Sequence, residues 1–133
     1  MNYYGNLKLR GRILNYLLKF FEIKCSVKDF YLTRKEIKYI DSIGMQIGSH
    51  AESHTLLSRI NYKKQYKEIS SSKKFLSNII RSDVDFFCYP YGGKKSYNQN
   101  TIKILKKLKF KQAYSVESKD ITKYKLITNN LEL

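Results

Sequence analysis

Three short runs of strand-forming residues, 45–48, 84–89 and 113–116, alternate with two longer segments whose apolar residues recur at helical spacing. One such segment spans 62–80, and the other begins after Ser96 or Asn98, either of which can cap it. Strands separated by a helix cannot close as hairpins, so they pair in parallel with each helix crossing over the sheet. The pattern therefore predicts an α/β fold. In such folds functional groups collect at the carboxyl ends of the strands.

The helices have legible limits and faces. Tyr66, Ile69, Phe75, Leu76 and Ile79 are the core candidates of 62–80, and Ile102, Leu105 and Leu108 form the stripe of the later helix. Upstream, Thr33 with Glu36 three residues on makes a capping box for a helix that runs through Ile37, Tyr39, Ile40 and Ile43 and stops at Gly44. Residues 13–21 carry a further helical period. At 133 residues the chain is the size of one domain, and 42% hydrophobic residues suffice for a core. Its most apolar run, 17–21, is short and broken by Lys19, so no membrane span is expected, and 1–4 lacks the order of a signal peptide. Read as given, the chain is expected to be soluble and cytoplasmic for want of an export signal, and its location in the cell is left open. Cys25 and Cys88 are too few for a disulfide framework and lack CxxC spacing.

Both ends expected to carry function have unusual residues. After the first run stands Ser49-His50-Ala51-Glu52-Ser53-His54, which contains the only two histidines. On a helical turn, residues four apart share a face, so His50 and His54 could both reach one metal ion. Spacing alone equally allows a pair of surface or capping histidines. Glu52 would face away from both on such a turn, and Ser49 and Ser53 read as local hydrogen-bonders rather than nucleophiles. The second run is closed by the only proline, Pro90, and then Tyr91-Gly92-Gly93. By itself that is compatible with a plain strand-to-loop proline beside an aromatic residue.

Taken together, 31–37, the run from Ile47 to Ser58 and Phe86-Phe87-Cys88-Tyr89-Pro90-Tyr91-Gly92-Gly93 resemble the polysaccharide deacetylase family, the NodB homology domain, over roughly residues 30 to 130. The resemblance implies part of an irregular (β/α) barrel that hydrolyses N- or O-acetyl groups on an acetylated carbohydrate with a divalent metal, usually zinc. It makes His50 and His54 metal ligands. It also makes Pro90, Tyr91 and Gly92 the lining of the substrate groove, with the Tyr91 backbone N–H holding the oxyanion. A metal held by neutral imidazoles and a rigid backbone donor suit acyl transfer.

Three parts of the family pattern have no counterpart. The family's Asp-Asp motif supplies the catalytic base and third ligand, whereas only Asp29 and Asp41 precede His50, neither in such a motif. Cys88 occupies the position of the arginine that orients the base, and no histidine follows His54 to act as general acid. Residues 1–133 thus read as a single partial domain with incomplete catalytic equipment. The rival reading is a non-catalytic relic or sugar-binding module on the same scaffold. Family members often act at the cell envelope.

A net charge of +15 raises nucleic acid as a partner. Lysines run through the whole chain beside Ile, Asn and Tyr, with no zinc-finger, helix-turn-helix or RNP-like pattern, so no specific nucleic-acid site is expected. DNA binding should be independent of base sequence and disappear at moderate salt in a titration from about 50 to 200 mM.

Overall fold

The computed structural model of the chain describes residues 7–22, 30–116 and 130–132. The chain divides into two compact units, Met1–Thr33 and Arg34–Leu133. In the first, α1 (Leu7–Phe20) occupies the expected helical stretch but begins earlier than its periodicity indicated. Its Ile13, Leu14, Leu17 and Phe20 are exposed, and Tyr16 stacks on Phe20 one turn later with centroids 6.0 Å apart. Cys25 and Asp29 lie outside the described residues.

The second unit contains α2 (Arg34–Ser42), β1 (Gly48–Ser49), a 3-10 turn (Leu57–Arg59), α3 (Tyr62–Ile80), β2 (Phe86–Cys88), α4 (Gln99–Lys107) and β3 (Gln112–Tyr114). The three strands are parallel in the order β1-β2-β3. All three are shorter than the apolar runs that announced them, for local reasons. Helix α2 ends in a Schellman motif, with Gly44 at φ 86°, Gly44 N–H donating to Asp41 O at 3.0 Å and Met45 N–H to Ile40 O at 3.2 Å. Met45 is therefore still bonded to the helix and cannot join the ladder, so β1 starts at Gly48 rather than at residue 45. At the other edge, Val116 N–H donates to Gly92 O at 3.1 Å, which takes Val116 out of β3.

Ser49, Phe87 and Ala113 stand in register across the sheet, and each is fully buried. Phe87 is the hub, edge-on to both Tyr89 and Phe110 with centroids 5.5 Å apart in each case. Ile69 from α3 and Ile104 and Leu105 from α4 complete the same cluster. The stripe that α3 buries is Gln65, Ile69, Ser72 and Ile79, with Tyr66 and Leu76 partly covered. Phe75, expected in the core, is 45% exposed and carries the Arg34 guanidinium 4.7 Å from its ring centre. One residue before Leu76, it is turned about 100° off the stripe by helical geometry.

Among the described residues the buried polar side chains find partners, as burial requires, with the hydroxyl of Ser77 the exception. Gln65 Nε2 donates to Ile60 O at 2.9 Å and its Oε1 accepts from Thr101 Oγ1 at 2.7 Å. Asn98, not Ser96, caps α4 in a reciprocal box with Thr101, while Ser96 Oγ donates to Gly93 O at 2.6 Å. Tyr89 OH donates to Leu131 O, and burial pushes its phenol well above the usual range.

Two backbone positions give stability tests. Arg81 follows α3 in the left-handed region at φ 58°, where a Cβ is unfavourable. Arg81→Gly should raise stability by about 0.5–1 kcal/mol in urea unfolding. Gly92 has φ 66°, and a Cβ there would stand 1.9 Å from Val116 Cγ2. Gly92→Ala should cost at least about 1–3 kcal/mol in the same measurement, because both backbone conformation and space oppose it.

Candidate active site at the carboxyl ends of the strands

His50 follows β1, and the parallel register carries it to the level of Cys88 at the end of β2. Its Nδ1 lies 2.8 Å from Cys88 O. A carbonyl can only accept, so Nδ1 carries a proton, and in the neutral imidazole this leaves the lone pair on Nε2. The His54 ring lies 4.8 Å from that of His50, and the Tyr91 ring packs edge-on against His54 at 4.7 Å. The fold thus brings the histidine segment and the Pro90-Tyr91-Gly92 segment together.

Residues 50–54 are not helical, contrary to the geometry that first drew attention to their spacing. Ala51 and His54 are both left-handed, at φ 61° and 52°. The rings approach because the loop doubles back. It is held by Glu68 on α3, whose carboxylate accepts from Ser53 N–H at 2.8 Å, Ser53 Oγ at 2.8 Å and Glu52 N–H at 3.2 Å. Charge-assisted bonds of this kind are among the stronger ones available to a loop. Ser49 Oγ pairs with Ser72 Oγ at 2.6 Å, anchoring the strand from which the loop leaves. Ser49 and Ser53 thus both hydrogen-bond, but to partners 23 and 15 positions away rather than locally as the sequence indicated.

Glu68 is the residue that sequence reasoning missed. Fifteen positions after Ser53 and on another element, it leaves no local signature. Because the turn is not helical, the expected facing of Glu52 does not apply, and with His50, Ala51, Ser72, Phe75 and Leu76 it lines a cavity of about 440 Å³. Asp41 lies on α2, as expected, and lines a different cavity with Met45, Gln46, Asp83 and Asp85, residues that precede the strands. It therefore belongs to the amino end of the sheet, away from the histidines. Cys88 offers His50 its carbonyl rather than its sulfur, and desolvation pushes its thiol up.

Tyr91 is also left-handed, at φ 65°, followed by Gly92 at 66°. Its carbonyl accepts from Gly93 N–H at 2.8 Å, closing a tight turn directly after the buried Pro90. Non-glycine residues at positive φ cost free energy, and at the end of the sheet they cluster at the histidine and tyrosine segments.

Known proteins share this fold. The Bacillus subtilis (strain 168) polysaccharide deacetylase-family protein YxkH is 28% identical over 87 residues, which is 65% of this chain and 30% of that protein. The structure of the Streptococcus pyogenes deacetylase PplD in complex with acetate superposes with a TM-score of 0.72 at 21% identity, covering 92% of this chain and 56% of that one. A CE4 family pseudoenzyme from Bacillus anthracis superposes at 0.55 with 17% identity, covering 78% of this chain and 37% of that one. The chain thus spans less than two thirds of the length of each, and the superpositions show that its parallel sheet and helices are part of a NodB-type (β/α) barrel. The polysaccharide deacetylase family profile itself matches residues 15–113, and the chain belongs to that family of hydrolases.

Proposed function

We propose that this chain is a metal-dependent carbohydrate deacetylase-like domain, acting on N- or O-acetyl groups of a glycan, with incomplete catalytic equipment in these 133 residues. The observation that carries the reading is the bond from His50 Nδ1 to Cys88 O beside the His54 ring. A hydrogen-bond acceptor on one ring nitrogen fixes the tautomer and orients the other nitrogen for a metal, as in known zinc sites. His50 and His54 fit two positions of a zinc-type site. Among the described residues no group of three His, Cys, Asp or Glu could hold an ion, so the third protein ligand is not identified. When bound, such an ion would polarise the acetyl carbonyl and lower the pKa of its water.

The chain's own residues have separate tasks. Pro90 and the Gly92 turn aim the strand end, the Tyr91 backbone N–H is the oxyanion donor, and Pro90, Tyr91 and Gly92 line the groove. Glu68 holds the histidine loop against α3. No side chain assigned so far is a general base, a role typically worth about 10²–10⁴-fold in rate. The division of the chain into two units at residue 33 is compatible with one partial homology domain, since the family match runs from 15 to 113 across it. A non-catalytic, sugar-binding role is the second reading. It is favoured by Cys88 at the family's arginine position and by the structural likeness to a pseudoenzyme.

Two measurements test the proposal. Zinc titration by calorimetry should give weak binding that His50→Ala or His54→Ala reduces at least about tenfold; equal affinity in all three proteins removes the metal assignment. Acetate release from chitooligosaccharides or acetylated xylan, with zinc or cobalt added, should be slight. Robust turnover abolished by His54→Ala would establish the activity and refute the incompleteness, and its loss in Asp29→Ala would identify the base.

A further inference from the structure

The segments 53–67 and 86–116 contain eleven Lys and Arg, and the acidic residues stand at their borders, Glu52, Glu68, Asp85 and Glu117. The fold concentrates five of these at the catalytic end. The 3-10 turn bearing Arg59 is tied to the loop after Gly93 through Ser58 N–H to Ser96 O at 3.0 Å and Ser58 Oγ to Lys95 O at 2.6 Å. That loop carries Lys94 and Lys95, both exposed, and is joined to the Tyr91–Gly93 turn by Ser96 N–H to Gly93 O at 2.8 Å. Lys63 and Lys64, also exposed, occupy the first turn of α3.

The first turns of α3 and α4 are clamped together by the fully buried pair Gln65 and Thr101, bonded at 2.7 Å, with Asn98 capping α4 beside them. Neither first turn contains an acidic residue. Helix amino ends carry partial positive charge, so lysines there oppose the helix dipole where Asp or Glu would favour it. These links bring two positive helix ends, and the segments that bear five cationic residues, to the side of the sheet end that carries Pro90-Tyr91-Gly92. Such a concentration of one sign of charge beside a cleft focuses the field on an incoming anion.

Building on the deacetylase reading, we propose that the glycan this site takes is anionic, with carboxylate or phosphodiester groups that meet the rim formed by Arg59, Lys63, Lys64, Lys94 and Lys95 while the acetyl group faces Tyr91. The shared chemistry is a fixed negative charge on the sugar chain. Exposed ion pairs are individually weak, so the rim acts through several contacts at once and fades as salt rises.

The test is calorimetric binding to the full chain at about 50 and 300 mM salt. The probes are chitohexaose, 6-phosphorylated chitohexaose, O-acetylated hexagalacturonate, the same uronate after alkaline removal of its acetyl groups, and a single-stranded hexanucleotide. A charged acetylated hexamer should bind about tenfold tighter than chitohexaose at low salt, with most of the difference lost at high salt. The phosphorylated and uronate arms separate the two anion types. Lys94→Ala/Lys95→Ala should remove most of the preference, whereas Lys74→Ala/Lys106→Ala, which deletes equal charge further along α3 and α4, should leave it. Equal binding of neutral and charged sugars, no sugar binding, or equal loss in both double variants overturns the rim. A hexanucleotide that binds as tightly, with the same dependence on Lys94 and Lys95, overturns it in favour of a nucleic-acid surface. Removal of the acetyl groups separates the two ideas: a charge preference unchanged by it leaves the rim standing and counts against the deacetylase reading.

Discussion

The hydrogen bond from His50 Nδ1 to Cys88 O is the contact on which the candidate site depends, and it exists because β1 and β2 are parallel and in register. Gly48 pairs with Phe86 and Ser49 with Phe87, so the next residue on each strand falls at one level. A shift of one residue would put a different side chain beside that carbonyl. Register in turn is held by burial. Ser49, Phe87 and Ala113 form a fully buried row, and sliding any strand would expose Phe87 or bury a residue with no matching space.

Around that row the molecule fastens loops with polar atoms, some inside the core and some, like the half-buried Glu68, at its edge. Glu68 takes three donors from the histidine loop, Ser72 takes Ser49, and Gln65 joins α3 to α4 through Thr101. An apolar side chain at these positions would fill volume without dictating where a loop goes. The hydrogen bonds supply direction, and they must be satisfied once buried. They offset the conformational cost of the left-handed residues Ala51, His54 and Tyr91, which give the loops their sharp reversals.

The same architecture gives the two sides of the site different electrical character. Glu52 lies on the cavity side with His50, whereas Arg59, Lys94 and Lys95 lie on the side built from the 3-10 turn and the loop after Gly93. In the sequence the lysines look evenly spread, and a basic, diffusely solvated surface was the natural reading. Parallel β-α connections change this, because each helix starts where its strand ends. The amino ends of α3 and α4 therefore meet at the end of the sheet that carries the histidines and Tyr91.

Much of this fold could be read directly from residue order. The period of 62–80 marked α3 at both of its ends, Asn98 was a capping candidate, and Gly44 marked the stop of α2. These are local effects, decided by neighbours three or four positions away. Strand limits were less legible, because ladder membership depends on partners such as Gly92 for Val116, which is distant in sequence. Phe75 was misplaced because hydrophobicity suggested burial, whereas the α3 stripe buries Gln65 and Ser72 instead. By itself, then, the sequence determined the alternation of elements and the stop of α2 at Gly44, offered Asn98 as a cap, and singled out His50, His54 and Pro90-Tyr91-Gly92 as the site candidates. Only the tertiary structure decided that residues 50–54 form a doubled-back loop rather than a helical turn, that Glu68 holds it, and that His50 meets Cys88. Those outcomes rest on contacts between residues 15 and 38 positions apart, for which no local pattern exists.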